Sequence, residues 1–177
     1  MRKRLRFRAA APAAFVLLAA CGTTPPDDQT LAANAAAYFT GDFACTRGDA
    51  ARVPFAALDA NPATYDGRCV AFDAFSDGTR LYAGATEMQM DRRSAATHSR
   101  LGVTWKASDL ARHLQLGPSF VTIVGRVRDC AGHRARWQAA RDLEARVGHA
   151  VAPPAEGCTG LATVYASEAT IVPTAMD

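Results

Sequence analysis

The spacing of apolar positions changes several times along the chain, and each change predicts an element. Between Thr30 and Phe39 an alanine-rich run predicts a short helix, capped by Asp28 or Thr30 and stopped by Gly41, or else a loosely packed tether. Pro54 suits the first turn of a second short helix whose apolar side carries Phe55, Ala56 and Leu58. Asn61-Pro62 ends it, because the residue before proline avoids helical backbone. Asp66-Gly67 then turns the chain. From Cys69 to Ala74 the pattern alternates with period two, the mark of a strand. A turn at Ser76–Thr79 leads into a second strand, Arg80–Met90, breakable at Gly84, and the two read as a hairpin.

Further along, Asp91–Ser99 reads as a polar loop and Arg100–Trp105 as a third strand. Ser108–Gly117 reads as a helix with a serine cap and a glycine stop. Ser119–Cys130 holds Val121, Thr122, Ile123 and Val124 in succession and is the clearest strand. Trp137, Ala140, Leu143 and Val147 fall at helical spacing within Ala135–Gly148. A loop at Ala152–Gly157 precedes a last strand, Gly160–Pro173. The expected fold is therefore mainly β with short helices (α+β): five strands, or six if Gly84 divides one, in a small barrel or strongly bent sheet.

The first twenty residues follow none of these patterns. Five basic residues fall in the first eight, and an apolar run of twelve, Ala9–Ala20, follows. That run is short of the roughly 20 apolar residues a membrane span needs, so it reads as a secretory signal. It ends Leu18-Ala19-Ala20-Cys21, which resembles the lipobox of bacterial lipoprotein precursors. The resemblance implies cleavage before Cys21 and acylation of its thiol. Two or more acyl chains hold a protein stably to a bilayer where one does not. Gly22, where an aspartate would favour the inner membrane, implies an outer-membrane, periplasm-facing location. On this reading residues 1–20 are signal, 21–29 a lipid-anchored tether, 30–52 an N-terminal segment and 53–177 the barrel domain.

Removing the signal changes the charge. Of 20 basic and 17 acidic residues, five basic and no acidic ones lie in residues 1–20, which leaves 15 against 17, a net of −2. No basic surface remains to argue for nucleic acid. Four cysteines follow Cys21: Cys45, Cys69, Cys130 and Cys158. An even number in an exported chain suggests two disulfides, and three pairings are open. If the last two strands run antiparallel, Cys130 and Cys158 meet at one end, which leaves Cys45 for Cys69.

Asn61-Pro62-Ala-Thr-Tyr65-Asp-Gly67 and the strand after it resemble the opening of small exported bacterial proteins of unknown function with an NPxxYDGxxVxV pattern. The resemblance extends loosely from Val53 to Pro173. It implies an OB-like five-stranded barrel in which Tyr65 packs on the barrel and Gly67 takes a positive φ. It carries no catalytic residue.

Candidate chemistry is sparse. His98 in a loop and His113 on a short helix read as surface side chains, and neither His133 nor His149 adds a metal or nucleophile motif. Met88 and Met90, on one face of a strand, could bind copper(I) together with His98, but two methionines at i and i+2 more simply enter a core. Arg134, Arg136, Arg141 and Arg146 spread around their helix and read as a solvated face. No cofactor, metal or catalytic residue is assigned. The expectation is a non-enzymatic envelope lipoprotein that binds a protein or glycan. The competing readings are an immunity or inhibitor lipoprotein directed at a secreted effector, and a hydrolase whose site the sequence conceals.

Overall fold

The computed structural model describes residues 26–93, 101–106, 117–158 and 160–172. Four helices and six strands lie in it: α1 (Asp28–Thr40), β1 (Ala51–Arg52), α2 (Phe55–Ala60), β2 (Cys69–Ser76), β3 (Arg80–Tyr82), α3 (Ala85–Arg93), β4 (Leu101–Trp105), β5 (Ser119–Asp129), α4 (Cys130–Val147) and β6 (Ala162–Ile171). Short 3-10 turns occupy Gly41–Phe43 and Pro62–Tyr65.

Five strands close a barrel in the order β2-β3-β4-β6-β5, with β5 returning to β2. Only β4 and β6 pair in parallel within it. The sixth strand, β1, lies parallel to the start of β2. This is an OB-like barrel in an α+β chain, as expected. Its interior follows from the period of two. Val70, Phe72 and Ala74 of β2 meet Val121, Ile123 and Val127 of β5, and Val103, Trp105, Val164 and Ala166 complete the core. Leu58 of α2 and the half-buried Tyr65 close one end.

The outer face of β2 is also covered. Ala71 lies beneath Cys45 and Val124, and Phe75 beneath Tyr82, Met88 and Phe120. Cys45 is bonded to Cys69, and Cys130 to Cys158. The second bond follows from geometry: β5 and β6 run antiparallel with Asp129 opposite Ala162, so both cysteines stand at one end of the barrel.

Several boundaries differ from the sequence reading. Arg80–Met90 is not one strand. Pairing stops at Tyr82, and Ala85–Arg93 winds into α3, where glutamate, methionine and glutamine are all good helix formers. Met88 is consequently buried while Met90 is 47% exposed, so the two share no face and the copper arrangement lapses. The first helix begins at Asp28, inside the stretch assigned to the tether, and its cap is Asp27, which accepts from the Thr30 amide at 2.7 Å. The helix expected from Ala135 starts at Cys130, directly after β5. Asp129 caps it, accepting from the Gly132 amide at 2.9 Å. The helix expected at 108–117 falls almost wholly outside the described residues. Among the described residues no helix is long and apolar enough to cross a membrane.

Candidate functional site

Alternation along β5 and β6 turns Arg126, Arg128 and Tyr165 away from the barrel core. α1, the Gly41–Phe43 turn, α4 and the 151–157 loop cover them. This covered flank holds most of the buried polar chemistry of the described chain.

The centre is an ion pair. Arg128 donates from Nε to Asp42 Oδ1 at 2.6 Å, and both side chains are buried. The same guanidinium lies over the Tyr38 ring, 3.9 Å from its centroid, and Arg136 lies 4.7 Å from that centroid. Burial pushes the Asp42 carboxyl up, and the charge of Arg128 opposes the rise. Arg126 donates to the carbonyls of Gly41 and Gly67 and so ties the α1 turn to the Asn61–Gly67 motif.

Beside the ion pair stands His133, 1% exposed. Its Nδ1 is 3.0 Å from the Tyr38 hydroxyl and its Nε2 2.8 Å from the Tyr165 hydroxyl. Burial, with the nearby Arg128 charge, pushes its pKa down to about 4. The ring is therefore neutral at pH 7, with one nitrogen donating to a tyrosine and the other accepting from its partner. Burial raises both phenols as well. The group is a fixed neutral strut between α1, α4 and β6.

The 151–157 loop roofs a cavity of about 350 Å³ next to this strut. The Cys130–Cys158 bond holds one end of the loop. At the other, the Glu144 carboxylate accepts from the amides of Val151 and Ala152 at 2.7 and 2.9 Å. Beside Cys158, the Thr104 hydroxyl donates to the Gly157 carbonyl at 2.8 Å. Gly157 passes so close to β6 that an added Cβ would lie 2.8 Å from the Tyr165 hydroxyl. Phe39, Phe43, Pro153 and Tyr165 give apolar surface to the walls, and Thr40, Asp42 and Thr104 are the polar edge. A second hollow, of about 410 Å³, runs between α1 and α4, lined by Leu31, Tyr38, Leu143, Arg136 and Arg146 among others.

The residues picked out from the sequence fall elsewhere or at the border. Cys21 lies outside the described residues, as do His98 and His113. Asn61 ends α2, Pro62 opens the following turn, Tyr65 packs on the core and Gly67 has φ +74°. These four shape the barrel end and reach the flank through Arg126. His133, Asp42 and Arg128 escaped the sequence reading. His133 was within reach of it, since it precedes Trp137 by four residues on the buried side of α4. The pairing of Asp42 with Arg128 spans 86 positions and left no local signal. Of the basic residues assigned to a solvated helix face, Arg136 stacks on Tyr38 and Arg146 pairs with Asp28. Among the described residues no three histidine, cysteine or acidic side chains converge as metal ligands.

The chain matches no protein-family model, no curated protein and no solved structure.

Proposed function

We propose that this chain is a lipoprotein of the bacterial cell envelope, acylated at Cys21 and facing the periplasm from the outer membrane, whose work is binding rather than catalysis. The observation that carries the anchor is Leu18-Ala19-Ala20-Cys21 behind a basic start and a short apolar run. α1 begins at Asp28, with six residues between it and Cys21. An extended chain of that length reaches about 25 Å, which would hold the barrel close to the bilayer. Two disulfides suit an oxidising compartment. The small exported barrels resembled by Asn61–Phe75 agree with this address.

Binding is favoured because the reactive groups of the flank are committed to holding it together. Both nitrogens of His133 and one oxygen of Asp42 are engaged, and Cys45, Cys69, Cys130 and Cys158 are bonded in pairs. What stays open is a cavity with largely apolar walls, the form that recognition sites take. The occupant would be an envelope glycan or protein.

The test uses the full precursor expressed in a Gram-negative host. The mature protein is expected to begin at Cys21, to gain the mass of its acyl chains and to float with membranes. Cys21→Ser is expected to stay in the soluble fraction; a Cys21→Ser chain that still floats would refute the anchor. Crosslinking in intact cells, followed by capture and mass spectrometry, tests the binding role through what the chain brings with it.

A further inference from the structure

Two hydroxyl hydrogens at the edge of the roofed cavity are spoken for. Thr104 gives its proton to the Gly157 carbonyl, and Thr40, which also lines the cavity, gives its own to the Ala36 carbonyl at 2.8 Å. Asp42 accepts from Arg128 at Oδ1, while Oδ2 takes no hydrogen bond among the described residues. The two threonine hydroxyls and Asp42 Oδ2 thus present lone pairs only. An occupant that faces these three groups must bring the donors.

Its charge is constrained too. Asp42 already faces Arg128, and Arg126 acts on it as well, so a second cation gains little there. An anion would meet the Asp42 carboxylate at the cavity edge, whereas Arg128 is turned onto Asp42 and the Tyr38 ring. A wholly apolar occupant would bury Asp42 Oδ2 without a partner, a costly arrangement. The remaining class is neutral, rich in O–H and N–H donors, and apolar on one side against Phe39, Phe43 and Pro153.

We infer that the cavity roofed by residues 151–157 binds an acetamido sugar of a glycan chain, its hydroxyl and amide donors directed to Asp42, Thr40 and Thr104 and its apolar face and acetyl methyl set against Phe39 and Phe43. About 350 Å³ lies at the small end of ligand pockets and holds one or two rings. This narrows the binding role proposed above and rests on it, but it does not involve the anchor.

The test titrates the chain, as purified from cells, with the β-1,4-linked trimer of N-acetylglucosamine and follows amide NMR shifts. The expected shifts centre on Phe39–Phe43, Thr104 and Ala152–Gly157, with saturation transfer strongest at the acetyl methyls. The deacetylated trimer, cationic and without the methyls, is expected to bind at least about tenfold more weakly, the loss that one or two unmet contacts produce. Ala155→Trp places an indole in the cavity from an exposed loop position and is expected to abolish the shifts in a folded chain. Thr40→Val, which removes one acceptor, should weaken binding severalfold. No shifts at millimolar trimer, shifts elsewhere, equal binding of the deacetylated trimer, or binding untouched by Ala155→Trp would each overturn the inference. A captured protein partner together with no sugar binding would leave the binding role standing and this assignment wrong.

Discussion

His133 shows what a buried titratable side chain does to stability. It titrates near 4 in the folded chain and near the ordinary 6.5 when unfolded. Above pH 6.5 both states are neutral there and the full stability is present. As the pH falls through 6.5 the unfolded chain binds a proton that the folded one refuses, and stability drains until about pH 4. The whole interval is worth about 3 kcal/mol. Asp42 acts in the opposite sense, because its raised carboxyl takes up a proton more readily in the folded chain as the pH falls toward 3.8. Comparing the native chain with His133→Gln isolates the histidine. In urea titrations the native advantage over the variant is expected to shrink by about 2–3 kcal/mol between pH 7 and pH 4.5. An advantage independent of pH would mean that His133 is not held neutral. Helical spacing marks His133 as inward-facing, but nothing local announces two tyrosines, one of them 95 residues away.

Strands were legible where period two and β-branched residues coincide, as in β2 and β5. They were misread where a short apolar alternation continues past a glycine. Leu81 and Tyr82 belong to the sheet, but from Ala85 the chain obeys helix propensity, and the packing of Met88 on Phe75 and Tyr82 decides the outcome. Another feature is invisible in any pattern. The pairing of β5 with β6 slips by one residue between Val124 and Gly125, leaving Ser167 outside the ladder with its buried hydroxyl unpartnered. At that slip β6 crosses so near that a Cβ on Gly125 would sit 2.5 Å from the Tyr165 carbonyl oxygen. Gly125→Ala is expected to push β6 outward and cost about 2–3 kcal/mol, seen as a lower denaturant midpoint and as disturbed amide signals along Val164–Glu168. A variant as stable as the native chain would show that the strands separate freely there.

For the whole molecule, the N-terminal segment, from α1 onward, and the barrel are not separate bodies. α1 packs on α4 through Ala32, Phe39, Ala140 and Leu143. Its following turn supplies Asp42 to Arg128, and Cys45 is bonded into β2. A chain lacking residues 28–43 would expose His133 and Tyr165 and leave Arg128 without its carboxylate and its aromatic cover. Such a chain is expected to lose its cooperative thermal transition in calorimetry; retention of a sharp transition would make the barrel autonomous. The barrel class was legible because strand count and turn spacing are local quantities. The covered flank was not, because its contacts join chain segments about a hundred residues apart.

The last strand stands between β4 and β5 and is the piece that joins them. Until Ala162–Ile171 is available, β4 lacks one neighbour and β5 another, and the barrel is an open sheet with two bare edges. Closure of the barrel therefore depends on this one strand. It waits for β6 to emerge, and it proceeds at the slow pace set by distant pairings. In that interval the half-made barrel is a substrate for proteases and a template for sticking to its own kind. Whatever carries or synthesises the chain must keep it loose until β6 has arrived.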